Sequence, residues 1–339
     1  MIKIGIIGCG GMGHRHASCY EVLKEQGAIV TAVADVRPEK AQELAEKFGC
    51  EIYETGMELI EKADVDAVDI CLPTFIHACH AIAAMKAGKA VFCEKPVCLT
   101  VEEGHELLRV QKETGAKFMV GLCLRMWDEY MWLKQVYDDK RYGELENAVL
   151  RRLSPVPGWG WENWLLNQER AGGVAVDMHI HDVDFIRHMM GEPEQVQASV
   201  FRNAEGLIEH INASYNYGRK LVTIEANWHY PLGFPFESGF RVKFEKATVV
   251  CDFRNPEPLV VYTDNQKEVI KLAPAYEADD QSDENCNITS LGAYYNELRY
   301  FVEGLQGLND LSKAPLDEAV KSLELVYKEI EAAGGFQKL

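Results

Sequence analysis

Ile2-Lys3-Ile4-Gly5-Ile6-Ile7-Gly8-Cys9-Gly10-Gly11-Met12-Gly13 opens the chain with an apolar strand running straight into a glycine-spaced turn. The spacing is G-x-G-x-x-G, and residues 14–26 read as a helix. Strand, glycine turn and helix in that order are the dinucleotide-binding fingerprint. Gly8 permits the tight turn, Gly10 lets backbone approach a pyrophosphate, and Gly13 lets helix and strand pack closely. Gly11 and Met12 complete the turn and offer amides of a helix N-terminus to an anion. Asp35 ends the second strand-like run, 35 − 13 = 22 residues past the last glycine, where a carboxylate accepts hydrogen bonds from the adenosine ribose. A carboxylate there repels a 2′-phosphate and favours NAD; Arg37, two residues on, keeps NADP open because a guanidinium pairs with phosphate.

Working outward, short apolar runs at Ile2–Ile7 and residues 29–34, 67–71, 90–93 and 117–120 alternate with helical windows at 14–26, 39–48, 77–87 and 101–114. Such alternation predicts βαβ units and a doubly wound parallel sheet. Thr100-x-x-Glu103 is a capping box and Gly115 a stop, which bound the last of these helices. Beyond Arg125 the texture changes: one helical stretch at 173–190 precedes strand-like runs at 195–203, 207–216, 222–228 and 241–253. Successive strands without helices between them predict a large, mainly antiparallel sheet. The tail, 294–333, returns to helical periodicity, broken near Pro315. The expected division is an α/β Rossmann domain over 1–121 and an α+β domain over 122–339 that binds substrate and assembles the oligomer.

With 339 residues, two domains are the natural size. The 35 basic and 53 acidic residues leave a net charge of −18, a field that repels nucleic acid and anionic membranes and leaves small molecules as partners. Ten cysteines occur without a Cys-x-x-Cys pair and read as reduced small hydrophobes. The start of the chain has no basic region followed by an apolar one, and no apolar run approaches the ~20 residues that span a bilayer. A reducing, cytoplasmic location is the expectation.

Three further motifs carry chemistry. Cys71-Leu72-Pro73-Thr74-Phe75-Ile76-His77 leaves one strand and opens a helix, and Phe92-Cys93-Glu94-Lys95-Pro96 closes another strand. Gly172-Gly173-Val174-Ala175-Val176-Asp177-Met178-His179-Ile180-His181-Asp182-Val183-Asp184 runs through a helix. Oxidising a secondary alcohol requires a base for the hydroxyl proton, a cation for the developing alkoxide and a carbon held against the nicotinamide. Asp177 and His181 lie four apart on one helix face, and imidazole titrates near pH ~6.5, suited to reversible proton transfer. Lys95 sits at the carboxyl end of a parallel strand, the edge where such sheets bind ligands. Taken singly, His181 reads equally as a core histidine, and Lys95 reads first as a solvated surface lysine; the dinucleotide motif raises the catalytic reading of both.

In order and spacing these motifs resemble those of the glucose–fructose oxidoreductase/inositol dehydrogenase (Gfo/Idh/MocA) family over nearly the whole chain. The resemblance implies that Lys95 and His181 form the catalytic pair with Asp177 orienting substrate or histidine. It also implies that Pro73, Thr74, His77, Glu94 and Lys95 flank the cofactor. Lysine, aspartate and histidine from two domains are then expected around one nicotinamide ring. His179 stands where a small residue is common in relatives and is expected to touch substrate. A zinc or iron site among His179, His181, Asp182 and Asp184 is disfavoured because their helical phases disagree, so no metal is expected.

Pro155-Val156-Pro157-Gly158-Trp159-Gly160-Trp161-Glu162-Asn163-Trp164 supplies three tryptophans whose indole faces suit the apolar face of a sugar or cyclitol, Trp161 among them; packing explains any single one equally well. Arg125 and Arg152 are candidate donors to hydroxyls. The expected activity is hydride transfer between a secondary hydroxyl of a cyclitol, polyol or sugar derivative and NAD(P). The alternatives are an NAD-dependent glycosidase working by transient oxidation and elimination, and a non-enzymatic dinucleotide-sensing regulator. An uncovered apolar face of the C-terminal sheet is expected to drive a homodimer or homotetramer.

Overall fold

A computed structural model describes residues 1–273 and 292–335. The contacts divide the chain into two compact units, one comprising Met1–Met126 with residues 292–320, the other Trp127–Ala273 with residues 321–335.

The first unit is built on six strands: β1 (Ile2–Ile7), β2 (Ala28–Ala34), β3 (Glu51–Tyr53), β4 (Ala67–Ile70), β5 (Ala90–Glu94) and β6 (Phe118–Gly121). They pair in parallel in the order β3-β2-β1-β4-β5-β6, the doubly wound arrangement whose direction reverses between β1 and β4. The connecting helices are α1 (Gly11–Leu23), α2 (Pro38–Phe48), α3 (Gly56–Lys62), α4 (His77–Lys86) and α5 (Val101–Thr114). β1, β4 and β6 are buried on both faces, which is why the sequence shows them as continuous apolar runs. β3 and α3 were not among the expected elements; β3 is a three-residue edge strand with two exposed residues and carries almost no apolar signal. The Thr100/Glu103 capping box is present in both directions, and Gly115 closes α5 in a left-handed conformation at φ 67°.

The second unit holds α6 (Asp128–Asp138), β7 (Leu145–Pro155), α7 (Gln168–Ala171), a π-helical turn at Ala175–His179 and α8 (Ile180–Met190). Then follow β8 (Gln195–Arg202), β9 (Ile208–Tyr217), β10 (Lys220–Tyr230), β11 (Glu237–Phe244), β12 (Thr248–Asp252), β13 (Leu259–Tyr262) and β14 (Lys267–Val269). The eight strands order as β14-β13-β12-β11-β7-β10-β9-β8, antiparallel except where β7 runs parallel to β10 at the centre. Tyr130 of α6 anchors the core, its ring edge-on to Phe185 of α8 at 4.7 Å and to Phe240 of β11 at 5.1 Å. The inner face alternates apolar, as in Val222, Ile224, Ala226 and Trp228 of β10. The outer face differs from the apolar one expected: Gln195, Gln197 and Ser199 pair with Asn216, Ser214 and Asn212, with Phe201 and Leu221 as isolated exposed apolar residues.

The tail forms α9 (Gly292–Leu305) and α10 (Leu316–Ala332), with Pro315 just before the second helix. A boundary at 121/122 would assign α9 to the second domain. It packs instead on α1 and on the Cys123–Met126 turn of the first unit, because Tyr294, Leu298, Phe301 and Val302 are buried there. The division between units falls within α10.

Gly172 and Gly173 precede the π-helical turn with φ of 73° and 70°, and a Cβ on Gly173 would lie 2.6 Å from the Ile208 carbonyl oxygen. Gly173→Ala is therefore expected to destabilise the chain by about 1–3 kcal/mol in urea unfolding; an unchanged midpoint contradicts that close approach.

Candidate functional site

In the first unit the glycine turn is dictated by contact. Gly8 adopts φ +99°, and a Cβ there would meet the Cys71 carbonyl oxygen at 2.4 Å; a Cβ on Gly13 would meet the Gly8 carbonyl oxygen at 2.0 Å. Only glycine lets α1 begin this close to β1 and β4. Gly10 caps α1 in extended conformation with no side-chain cap, so the first-turn amides are left to an anion. Gly11 is exposed and Met12 half-exposed on the same turn. These residues fit a dinucleotide pyrophosphate: close backbone, uncapped amides and a Cβ-free approach.

Asp35, at the end of β2, is 8% exposed. Its Oδ2 accepts the Cys9 amide at 2.8 Å, while Oδ1 accepts the Arg37 amide at 2.8 Å and Nε at 3.1 Å. Arg37 closes the pair through NH2 on Oδ2 at 3.1 Å. The arginine that kept NADP open is thus clamped on the carboxylate that opposes a 2′-phosphate.

Pro73 leads into a 3-10 turn at Thr74–Ile76, with Thr74 buried. His77 is buried and reaches both cofactor-side loops: Nδ1 lies 2.7 Å from the Pro96 carbonyl oxygen and Nε2 2.5 Å from that of Leu72. Burial lowers its pKa below the ordinary histidine value, and the two carbonyls pull against that effect. His77 thus sits between the loop after β4 and the loop after β5, and in its neutral form it donates to one of the two carbonyls. Lys95, half-buried, follows β5 and enters a cis bond to Pro96. Glu94 turns inward: Oε1 lies 3.3 Å from His16 Nε2 and Oε2 accepts the Lys95 amide at 3.2 Å.

Arg125, expected to touch substrate, is 5% exposed and donates to the Lys313 carbonyl oxygen at 3.0 Å, with Glu318 at 4.0 Å. It pegs the segment between α9 and α10 to the Cys123–Met126 turn.

In the second unit, residues 175–183 are buried except Asp177 and His181, which are half-exposed four positions apart. Their neighbours take other partners. Asp182 receives Arg152 in a bidentate pair, Nε at 2.9 Å and NH2 at 3.1 Å, both groups buried. Asp184 accepts the Ser322 hydroxyl at 2.7 Å, and Arg187 donates to the same hydroxyl oxygen at 3.0 Å. His179 is 0% exposed, with Nε2 at 3.0 Å from Glu329 Oε2; the Tyr215 hydroxyl donates to the other oxygen of Glu329. Arg152 and His179, both expected as substrate contacts, are thus buried against partners within the second unit, Asp182 and Glu329. Trp161 is 38% exposed and Trp159 63%, beside Glu162 and Asn163 in left-handed conformations at φ 50° and 52°.

The sequence reading missed His16, Asp69 and Glu297, which surround Glu94 inside the first unit. His16 lies three residues beyond Gly13 on the inner face of α1, a signal that was available; Glu297 had none, because its helix lies far along the chain.

Comparison with known proteins agrees with this architecture. Residues 2–122 match the oxidoreductase family with an NAD-binding Rossmann fold, and residues 130–250 match the GFO/IDH/MocA C-terminal domain. The chain belongs to this oxidoreductase family, and its N-terminal region is the family's NAD-binding domain. It is 37% identical over 201 residues to inositol 2-dehydrogenase of Rhizobium meliloti (strain 1021), covering 58% of each chain. It is 32% identical over 210 residues to myo-inositol 2-dehydrogenase of Thermotoga maritima, covering 61% of this chain and 60% of that one. The match thus spans less than two thirds of these relatives' length. A 2,7-anhydro-N-acetylneuraminate hydratase of Mediterraneibacter gnavus is 33% identical over 193 residues, 55% of this chain and 50% of that one. A crystal structure from Sinorhizobium meliloti 1021, assigned as a myo-inositol dehydrogenase, superposes with TM-score 0.80 at 26% identity over 98% of both chains. No helix among the described residues is long and apolar enough to cross a membrane.

Two outcomes follow from this geometry. Asp35→Ala is expected to weaken NAD by about ten- to a hundredfold, the loss of a charge-assisted hydrogen-bonding group, while NADP loses less because Arg37 is released; equal losses in calorimetric titration contradict the assignment. For His77, a folded pKa below the unfolded one means the neutral ring's contribution is complete above about pH 6.5 and fades as pH falls. The stability gap between wild type and His77→Gln should therefore narrow on acidification in urea unfolding, and a constant gap counts against a neutral buried ring.

Proposed function

We propose that the protein is an NAD-dependent dehydrogenase that oxidises a secondary hydroxyl of a cyclitol, polyol or sugar derivative. The observation that carries the reading is the pairing of a glycine turn fitted to a pyrophosphate with the exposure of Asp177 and His181 alone within residues 175–183. Likeness to two inositol dehydrogenases supports the substrate class. The exposed indoles of Trp159 and Trp161 support it as well, offering apolar faces suited to a ring.

In this reading His181 takes the hydroxyl proton, Asp177 orients the imidazole or the substrate, and Lys95 stabilises the developing alkoxide. NAD, when bound, supplies the hydride acceptor. Gly8, Gly10, Gly11, Met12 and Gly13 hold the pyrophosphate, and Asp35 holds the adenosine ribose. Pro73, Thr74, His77 and Glu94 flank the cofactor from the loops after β4 and β5. The protein acts in the cytoplasm on small molecules. Its assembly as a dimer or tetramer through the C-terminal sheet is supported by family likeness, not by an apolar outer face.

A second reading keeps the fold and cofactor: transient oxidation followed by elimination, with the hydride returned. The hydratase relative favours it.

Purified protein with NAD and a panel of cyclitols and sugars should generate reduced nicotinamide, read by absorbance. Lys95→Ala should lower turnover by about 10²–10⁴-fold and leave NAD affinity within a few fold. Unchanged turnover rejects the role of Lys95. Product formed without net reduced cofactor selects the second reading, and silence across the panel with NAD bound contradicts both.

A further inference from the structure

Behind the Glu94-Lys95-Pro96 loop the first unit encloses a cluster of ionisable groups that the proposed reaction does not use. His16 of α1, Asp69 of β4 and Glu297 of α9 are 0% exposed and Glu94 is 6% exposed. His16 Nδ1 lies 3.1 and 2.9 Å from the two oxygens of Asp69, and its Nε2 faces Glu94 Oε1 at 3.3 Å. His16 Nε2, a Glu94 oxygen and a Glu297 oxygen all lie within 4.8 Å of one another. Neither oxygen of Glu297 has a hydrogen-bond partner, and Glu94 Oε1 has none beyond the ion-pair contact with His16.

Charge decides what this arrangement can be. Three carboxylates and one imidazole share a dry interior, and the imidazole balances one of them. Two neighbouring carboxylates in such a site do not both ionise. Asp69 has His16 and the Cys71 thiol at 3.4 Å; Glu94 has His16 and the Lys95 amide. Glu297 has no donor and is the group that takes the proton. Once protonated it needs an acceptor, and Glu94 Oε1, whose one charged neighbour at 3.3 Å is His16 Nε2, offers a further lone pair.

We propose that Glu297 is an un-ionised acid whose O–H donates a hydrogen bond to Glu94 Oε1, and thereby keeps the other oxygen of Glu94 on the backbone amide of Lys95. Glu297 is then a positioning residue for the lysine, an inference that rests on Lys95 acting in the reaction. Burial, then the charge of Glu94, drives the Glu297 pKa well above the ordinary carboxylate value. Burial works to lower the His16 pKa, but Asp69 and Cys71 outweigh it and hold it well above the ordinary value. The groups facing the cluster are Tyr20 and Cys19 from α1, Asp69 and Cys71 from β4 and its end, Glu94 from β5 and the Tyr294 ring of α9, 6.0 Å from that of His16. A divalent ion on His16, Glu94 and Glu297 is the competing occupant. Three donors leave a tetrahedral ion one ligand short, and aromatic Phe92, 5.5 Å from the His16 ring, walls one side of that ring.

The test uses the NAD-loaded full chain. Infrared difference spectra of wild type minus Glu297→Gln should show the carbonyl band of an un-ionised carboxyl, constant across neutral pH. Glu297→Ala should lower kcat by about tenfold or more, with KM for NAD within about threefold, and Glu297→Gln, whose amide also donates, should recover most of the loss. Absence of the carboxyl band, or a stoichiometric divalent metal by elemental analysis, overturns the shared proton. Equal kcat in wild type and both variants overturns the positioning role. If Glu297→Ala does not fold, the band and the Glu297→Gln kinetics still decide. Should Lys95→Ala turn over normally, the lysine reading fails while the infrared result continues to report on the proton.

Discussion

The contact on which the rest of the first unit depends is backbone against backbone at the glycine turn. Gly8 lies so close to the Cys71 carbonyl, and Gly13 so close to the Gly8 carbonyl, that any side chain at either position would overlap a main-chain atom. That closeness brings the uncapped amides of α1 to the edge where β1 and β4 diverge. It also carries His16 inward, so that one helix offers amides to an anion at its start and an imidazole to Asp69 and Glu94 a turn later. The cofactor edge and the buried cluster are consequences of the same packing constraint.

In the second unit a different economy prevails. The π-helical turn at Ala175–His179 and the helix after it send charged side chains in several directions, and each buried one meets a partner: Arg152 on Asp182, Glu329 on His179, Ser322 on Asp184. Removing one member of the buried Arg152–Asp182 pair costs roughly 3–5 kcal/mol because the other charge is left uncompensated. These contacts anchor the helix to its surroundings while Asp177 and His181 remain partly exposed. Inserted turns of this kind recur where a helix must re-aim side chains.

What the sequence made legible follows from what each signal depends on. Parallel strands buried on both faces, such as Ile2–Ile7 and Ala67–Ile70, read as apolar runs regardless of context. The capping box at Thr100 and Glu103 is local and was equally readable. β7 was not: Leu145–Pro155 contains Glu146, Asn147, Arg151 and Arg152, and only its place at the centre of the sheet makes it a strand. The partners of Arg125 and Arg152 were not legible because they lie far off in sequence, 188 residues for Arg125 with Lys313 and 30 for Arg152 with Asp182. The docking of α9 on α1, and with it Glu297, is a tertiary outcome that no periodicity within 294–333 encodes.

The central claim is that the dinucleotide edge serves hydride transfer from a carbon of a polyol. Incubating the protein with NAD and a cyclitol deuterated at its carbinol carbons, then recovering the reduced cofactor for mass spectrometry, tests it most directly. Deuterium transferred into the nicotinamide ring is the predicted result. Reduced cofactor without deuterium, or none across the cyclitol and sugar series while NAD is bound, contradicts it.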